Sequence, residues 1–456
     1  MTQNDDKIVE LPSFIDNHKM SWYQIRIVLI CGIVMFADGF DTQMIAYVAP
    51  FVGREWGLDN ETLGALFSAS LFGLMIGYLV VAPMADRIGH KRMVLVTVLG
   101  TSLAVFVSAA ATNAGELMAI RFVTGIGLGA VIPSAIALTS EYTPKRFRAT
   151  TILAIYVGYS LGFVVSGLVS GWIIPAYGWP AIFIVGGGMS LAIVPAIFFL
   201  LPNSLVMEIK KGKNLEGVKN TLRCIDSHLP KDFTIVVEDS NDDKQTHKKV
   251  NVTAILAPPL FVGTILLWAV FAVNLGVFYA LQSWLPTILD LQGFEMDMMV
   301  KGTLISTVGG IVAAIVLGSF MDKKNPYFVL ASIYLLGFFC IFLLGLSFQY
   351  GHWWLLLSSF LVGFCVNGGQ KCVIAISSIF YPYAIRGAGV GWALGIGRIG
   401  AIAGPFVVGK YMDLSWSPTT IFGLIAVPML FLSAAIFFLG KVYGRTTTEV
   451  PLKSIR

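Results

Sequence analysis

Charged residues are scarce in this sequence. Lys, Arg, Asp and Glu make up 12% of its 456 residues, against roughly 25% in a typical soluble domain. Hydrophobic residues make up 56%, and the mean hydropathy is +0.78. This balance excludes an ordinary soluble domain and indicates a polytopic membrane protein.

The usual signatures of cofactors, metals and catalysis are also missing. The five cysteines form no CxxC or other metal-ligand spacing, and the five histidines are scattered. The GxGxxG match GIGRIG at 395–400 lies inside a continuous apolar run, whereas a dinucleotide fingerprint follows a strand. No nucleophile, base and orienting group stand together. We therefore expect no cofactor, no metal site and no enzyme activity.

Apolar runs long enough for membrane helices of ~20 residues form two groups of six. The first group covers 25–49, 62–84, 93–111, 116–139, 149–171 and 179–200, and the second covers 259–284, 299–321, 327–347, 353–378, 387–410 and 418–440. We predict an all-α membrane protein with these parts: an N-terminus at 1–24, six-helix bundles at 25–201 and 256–441, a central loop at 202–255 and a C-terminus at 442–456.

Basic residues predict the orientation of these helices, because cytoplasmic loops carry an excess of Lys and Arg. With both termini on the cytoplasmic side, only Arg54, Lys301 and Lys410 fall outside, all close to helix ends. The start, MTQNDDKIVE, also lacks the apolar core of a secretory signal peptide. These loops account for the formal charge of +5 without a nucleic-acid partner.

An internal repeat relates the two groups of helices. PMADRIGHKR at 83–92 and GSFMDKKNP at 318–326 occupy equivalent loops, and EYTPKRFRA and IFYPYAIRG recur at almost the same interval. This pattern predicts two parallel six-helix repeats, the plan of the major facilitator superfamily. In that superfamily such loops hold gating groups, which can form ion pairs that close the inner face in one state. The candidates here are Asp86, Arg87, Gly89, Lys91, Glu141, Arg148, Asp322 and Arg386. Glu141 could instead be an ordinary solvated helix end.

Glycines recur every four or five residues in two of the predicted helices. The fifth helix has Gly158, Gly162, Gly167 and Gly171, and the eleventh has Gly387, Gly391, Gly395, Gly400 and Gly404. Because small residues let helix backbones approach closely, we expect tight helix contacts at these positions.

Away from their ends, the predicted membrane helices contain five charged residues: Asp38, Asp41, Arg121, Lys371 and Arg398. Each costs at least ~2.5 kcal/mol at mid-bilayer, so each should face a partner or a cavity. Counting ~1.5 Å per residue puts Asp38 and Arg398 near the midplane, and Asp41 and Arg121 in the outer half.

The spacing of Asp38 and Asp41 puts both carboxylates on one helix face. Neighbouring carboxylates in a low dielectric disfavour double ionisation, so one should hold a proton unless a cation lies between them. A proton site follows from this reasoning, and an ion pair with Arg121 that only joins helices is the alternative.

Arg398, Arg121 and Lys371 are candidates for binding an anionic substrate. Arg398 has a planar fork suited to a carboxylate, whereas Lys371 either faces substrate or snorkels to the interface. Amides would be costly against lipid, which makes four of them candidates for polar contacts with substrate: Asn274, Gln282, Asn367 and Gln370.

Three runs carry a narrower resemblance: DGFDTQMIAYVAP, RFVTGIGLGAVIPSAIAL and RGAGVGWALGIGRIGAIAGP. Together they resemble the aromatic acid:H⁺ symporter family of the major facilitator superfamily. The resemblance implies a monomeric transporter of the bacterial inner membrane that imports acids such as benzoate, hydroxybenzoates or protocatechuate for aromatic catabolism. It makes Asp38 and Asp41 candidates for proton coupling, and Arg121, Arg386 and Arg398 important for transport. Lys371 departs from the expected pattern.

Two other functions stay open from the sequence. One is proton-driven export of organic acids or drugs, because the same fold can run in either direction. The other is a membrane receptor that binds an aromatic acid and signals through the central loop.

Overall fold

The computed structural model describes residues 8–210, 212, 215–226, 229–230, 233–236, 255–258, 260–382, 385–414 and 416–443. Nearly all of this chain is helical, with two short strands. The elements are β1 Ile8–Glu10, α1 Leu11–Asn17, α2 Trp22–Trp56, α3 Asn60–Ile88, α4 His90–Ser108, α5 Ala114–Tyr142, α6 Lys145–Tyr177, α7 Pro180–Leu200, α8 Leu205–Lys210, α9 Leu215–Ile225 and β2 Thr234–Val236. They continue with α10 Phe261–Leu291, α11 Met296–Lys323, α12 Pro326–Ser347, α13 His352–Phe380, α14 Arg386–Asp413 and α15 Pro418–Tyr443.

Eleven helices in the described residues are long and apolar enough to cross a membrane on their own. The 35-residue α2 passes the same test together with α1, from which it is bent by 96°. Counting α2 gives twelve spans, the number that the apolar runs predict. The number of apolar runs and the number of helices agree because a helix that rises ~1.5 Å per residue needs ~20 apolar residues to cross ~30 Å of hydrocarbon.

Glycine lets several of these helices touch backbone to backbone. A Cβ on Gly162 of α6 would collide with the carbonyl oxygen of Phe36 on α2. A Cβ on Gly400 of α14 would likewise collide with the carbonyl of Ala272 on α10. The close helix approach predicted from the glycine spacing is therefore present at these two positions, whereas Gly391 and Gly395 of α14 have open space around them.

By internal contacts the chain forms two compact units. Unit one contains 1–42, 72–166 and 180–243, and unit two contains 43–71, 167–179 and 244–456. These units group helix segments that contact one another, and they do not divide the chain at the predicted domain boundaries. Those boundaries therefore remain a prediction.

The described part of the central segment is folded and belongs to unit one. Strand β2 pairs in parallel with β1, Ile8 opposite Thr234. In the same unit, apolar side chains of α1, including Phe14, share a buried cluster with Val218 and Leu222 of α9. The central segment thus forms a small layer with the N-terminal residues, while residues 237–254 lie outside the described part.

Candidate functional site

A buried ion pair joins α2 to α5 inside unit one. Arg121 Nη1 donates to Asp41 Oδ1 at 2.8 Å and Nη2 donates to Oδ2 at 3.1 Å. Nη2 also donates to the backbone carbonyl of Asp41 at 3.2 Å. Arg121 is completely buried and Asp41 is 4% exposed. The geometry uses the planar guanidinium fork, which binds a carboxylate with two parallel hydrogen bonds.

The sequence left open which carboxylate pairs with Arg121, and the structure assigns that contact to Asp41. Asp38 lies one helical turn earlier on α2 and is 3% exposed. Both carboxylates line a cavity of about 20 Å³ in unit one, together with Thr101 of α4 and Ser190 of α7. A cavity of this volume has room for about one water molecule, and apart from these four polar residues its lining is apolar.

Close helix packing holds this part of α2 in position. A Cβ on Gly39, between the two aspartates, would collide with the backbone carbonyl of Tyr159 on α6. On the other partner, the Asn113 side chain accepts from Glu116 N at 3.0 Å and fixes the start of α5. Arg121 follows two turns later. The contact at Gly39 brings α2 close to α6, and the cap fixes where α5 begins.

Arg398 lies on α14 in unit two and is half-buried. Its Nη1 donates to the hydroxyl of Tyr279 on α10 at 3.3 Å. A guanidinium carries five N–H donors in a planar fork, a geometry suited to binding a carboxylate.

Lys371 on α13 donates from Nζ to the backbone carbonyl of Gly310 on α11 at 3.2 Å. That contact directs the ammonium towards a neighbouring helix of unit two. It fits either of the roles that the sequence left open for this residue.

The four amides of unit two have different surroundings. Asn274 is completely buried, whereas Gln282 donates to Gln43 Oε1 at 3.1 Å. Asn367 ends a π-helical turn in α13 and donates to the Ser306 carbonyl at 3.4 Å. Gln370 is half-buried. The Gln282 and Asn367 amides already have protein partners in this conformation.

The predicted gating residues of unit one lie where α3 is followed by α4 and where α5 is followed by α6. Gly89 separates α3 from α4 with a φ of 111°, a conformation that favours glycine. Glu141 accepts from Val206 N at 2.7 Å and from Ser204 Oγ at 3.1 Å, so it fixes the start of α8. It is therefore not a simple solvated helix end.

The other gating candidates are placed separately. Asp86 is exposed and lies 3.8 Å from His90 Nε2, one turn later. Lys91 Nζ donates to the Phe198 carbonyl near the end of α7 at 2.8 Å, and Arg87 and Arg148 lie at the ends of α3 and α6. The side chains of Asp322 and Arg386 lie outside the described part.

Each of the three cations predicted on the far side of the membrane has a carboxylate partner in unit two. Arg54 binds both oxygens of Asp290, at 2.7 and 2.6 Å. Lys301 lies 2.5 Å from Asp297, and Lys410 lies 3.3 Å from Glu61. A further carboxylate, Asp413 of α14, accepts from the backbone N–H groups of Asn60 and Glu61, both at 3.0 Å. These contacts join α2 to α10 and α3 to α14 at this side.

Comparison with known proteins identifies the family. The family model described as Major Facilitator Superfamily matches residues 31–405. The chain belongs to the Major Facilitator Superfamily. In fold, it is similar to the inward open conformation of the xylose transporter XylE from E. coli, with a TM-score of 0.71 at 16% identity over 93% of this chain and 98% of that one. The predicted fold class is confirmed.

Sequence relatives are similar along almost the whole chain. The 4-hydroxybenzoate transporter PcaK of Pseudomonas aeruginosa is 34% identical over 95% of this chain and 96% of its own. The gallate transporter of Pseudomonas putida is 33% identical over 98% of both chains. The benzoate transport protein of Acinetobacter baylyi is 28% identical over 94% of this chain and 92% of its own. The resemblance to the aromatic acid:H⁺ symporter family is confirmed, and the chain is a multi-pass membrane transporter rather than an enzyme.

Several residues near the charged side chains of the membrane helices were not predicted from the sequence. Gln43 on α2 meets Gln282, and Thr101 and Ser190 line the cavity beside the aspartates. Gln43 follows Asp41 by two residues inside a predicted membrane helix, and an amide at such a position indicates a polar partner. Thr101 and Ser190 carried no signal, because hydroxyls are common in membrane helices and usually bond their own backbone.

Proposed function

We propose that this transporter imports an aromatic carboxylic acid together with H⁺ across the bacterial inner membrane, by alternating access of its two six-helix halves. The observation that carries the proposal is the buried Asp41–Arg121 pair with Asp38 beside it, in a helix that crosses the membrane. The names of the relatives support an aromatic acid as the substrate class. The proton gradient then supplies the driving force, and no cofactor takes part.

Asp38 is our candidate for the coupling proton. Asp41 has its charge balanced by Arg121 through two hydrogen bonds, and separating that buried pair would be costly. Asp38 is equally buried, and the cavity that it shares with Asp41 has room for one water molecule. Proton uptake and release at Asp38 would leave the neighbouring ion pair intact. Asp41 and Arg121 then form the fixed part of the site.

Arg398 is our candidate for the anchor of the substrate carboxylate. It lies half-buried on membrane helix α14, where it donates to the Tyr279 hydroxyl at 3.3 Å, and its planar fork suits a carboxylate. Lys371 would bind a second anionic group or lie at the interface. One monoanion moving with one proton carries no net charge. Each additional proton would add ~2.3 kcal/mol of driving force per 100 mV of membrane potential.

The orientation that we propose has both termini in the cytoplasm. Basic residues on the opposite side are few, and three of them are held by carboxylates. The Arg54–Asp290 contact and the Asp413 cap would then lie on the periplasmic side. Both would have to break whenever the transporter opens to that side.

Uptake into proteoliposomes tests the function directly. Purified protein should accumulate labelled 4-hydroxybenzoate under an imposed inward proton gradient, and a protonophore should abolish this accumulation. The uncharged analogue 4-hydroxybenzyl alcohol is the matched control, because it keeps the ring and loses the carboxylate. Gallate, benzoate and protocatechuate in the same assay would rank the substrates. Outward pumping would identify an exporter, and binding without accumulation would identify a receptor; either result contradicts the proposal.

A further inference from the structure

A second cavity, of about 220 Å³, lies in unit one beside the start of α2. Its lining comes from the start of α2 and α4, the end of α7, and the short helices α8 and α9. A water molecule takes up ~30 Å³ in the liquid, so the cavity can hold a small polar group several times larger. It is separate from the small cavity beside Asp38.

Two cations line this cavity. The Arg26 guanidinium stacks on the ring of Tyr23, with its central carbon 4.7 Å from the ring centre. Its Nε is buried and has no hydrogen-bond partner among the residues that the structure describes. Lys91 reaches in from α4, with one of its three donors on the Phe198 carbonyl. Both side chains therefore offer positive charge and N–H donors to an anion.

The edge of the cavity is apolar and open to the surroundings. Phe199 lines the cavity and is 77% exposed, and its neighbour Leu200 is 41% exposed. They end α7, a membrane-spanning helix. Apolar side chains exposed at the end of a membrane helix face the boundary between headgroups and acyl chains. A molecule bound here would have its polar group among the cations and an apolar part against these side chains.

The charge of the lining limits the polar group. Arg26 and Lys91 contribute two positive charges, and the carboxylate of Glu208 also lines the cavity. The net charge of these groups matches a singly charged anion better than a dianion. A phosphodiester carries one negative charge, and basic pockets between helices at the cytoplasmic surface are suited to lipid headgroups.

We propose that this cavity binds the phosphodiester headgroup of a phospholipid, taken from the membrane leaflet on the side of the chain termini. Arg26 binds the phosphate through its fork, Lys91 adds a second positive charge, and Phe199 contacts the acyl chains. The lipid would link α2 and α7 to the short helices of the central segment. This site is independent of the acid and proton sites proposed above.

Native mass spectrometry of the purified full-length protein tests the site. We expect one molecule of phosphatidylglycerol or phosphatidylethanolamine to be retained at low lipid-to-protein ratios. Diacylglycerol with the same acyl chains should not be retained, because it lacks the phosphate. Equal retention of diacylglycerol would overturn the proposal without any variant. If inorganic phosphate alone binds and displaces the lipid, the cavity takes a soluble anion, which also overturns it.

Variants then locate the binding. Arg26→Gln should weaken lipid binding roughly tenfold or more, as expected when a charged hydrogen bond to phosphate is lost, and Arg26→Lys should recover part of it. Lys441→Gln is the matched control, because Lys441 also stacks on an aromatic ring at a helix end, 4.8 Å from the centre of Phe437, but lies in unit two. Circular dichroism and elution volume confirm folding. Binding by Arg26→Gln equal to wild type would refute the assignment.

Discussion

Breaking the Asp41–Arg121 pair should be among the most damaging single changes in unit one. Arg121→Gln removes the donors of three hydrogen bonds, of 2.8, 3.1 and 3.2 Å, and leaves a carboxylate that is 4% exposed without its cation. Removing one partner of a buried ion pair costs about 3–5 kcal/mol, which is roughly two to three and a half orders of magnitude in the folding equilibrium. The double variant Asp41→Asn with Arg121→Gln leaves no buried charge, so it should recover most of this loss.

Equilibrium unfolding in mixed micelles of detergent and SDS measures these free energies. Lys301→Gln is the comparison, because Lys301 and Asp297 are 54% and 64% exposed and an exposed pair contributes at most about 1 kcal/mol. The expected order of stability places wild type and Lys301→Gln highest, the double variant next and Arg121→Gln lowest. If Arg121→Gln is as stable as Lys301→Gln, or if the double variant is no better than the single one, the buried pair does not act as argued.

Three further predictions concern the substrate anchor, the helix packing and the topology. Arg398→Gln should raise the KM for 4-hydroxybenzoate roughly tenfold or more, whereas Tyr279→Phe should change it by about two- to threefold; an unchanged KM in Arg398→Gln would remove it as the anchor. Gly162→Val should lower stability by about 1–3 kcal/mol through collision with α2, whereas Gly100→Val, with open space around it, should not, and equal losses would refute the packing argument. Cys224 is the one exposed cysteine of the five, so a membrane-impermeant maleimide should label inside-out vesicles and spare intact cells; the reverse pattern would invert the topology.

The sequence is sufficient to predict the number of spans but not the ends of the helices. The apolar run at 116–139 marks the fourth span, yet α5 begins at Ala114, because Asn113 caps it. Likewise α2 extends to Trp56, beyond the predicted end at 49. Hydropathy measures the length of the lipid-facing part, whereas caps and backbone contacts decide where the helix begins and ends.

The sequence predicts which charged residues form the site, but only partly which carboxylate pairs with Arg121. Because a charge in lipid is costly, the sequence alone identifies Asp38, Asp41 and Arg121 as candidate site residues. The number of residues from the helix ends places Asp41 and Arg121 together in the outer half of the membrane. Choosing one carboxylate over the other depends on how α2 and α5 are rotated about their axes. That rotation follows from contacts such as the one between Gly39 and Tyr159, which single-sequence patterns do not contain.

Contacts between distant segments were the least predictable part. The far-side cations were expected at helix ends, and Asp297 lies only four residues before Lys301 on the same helix. The partners of Arg54 and Lys410, Asp290 and Glu61, follow instead from packing within unit two. The contacts of Glu141 were equally unpredictable from the sequence, because its partners Ser204 and Val206 lie in the segment after α7. The predicted roles of the gating residues and of Lys371 therefore remain predictions.

The most direct test of proton coupling is a comparison of two transport modes in proteoliposomes containing Asp38→Asn. In counterflow, unlabelled 4-hydroxybenzoate inside exchanges for labelled acid outside, and no proton gradient is required. The account predicts that Asp38→Asn retains counterflow and loses accumulation driven by an inward proton gradient. Accumulation by Asp38→Asn at the wild-type level, with the wild-type dependence on pH, would contradict the central claim.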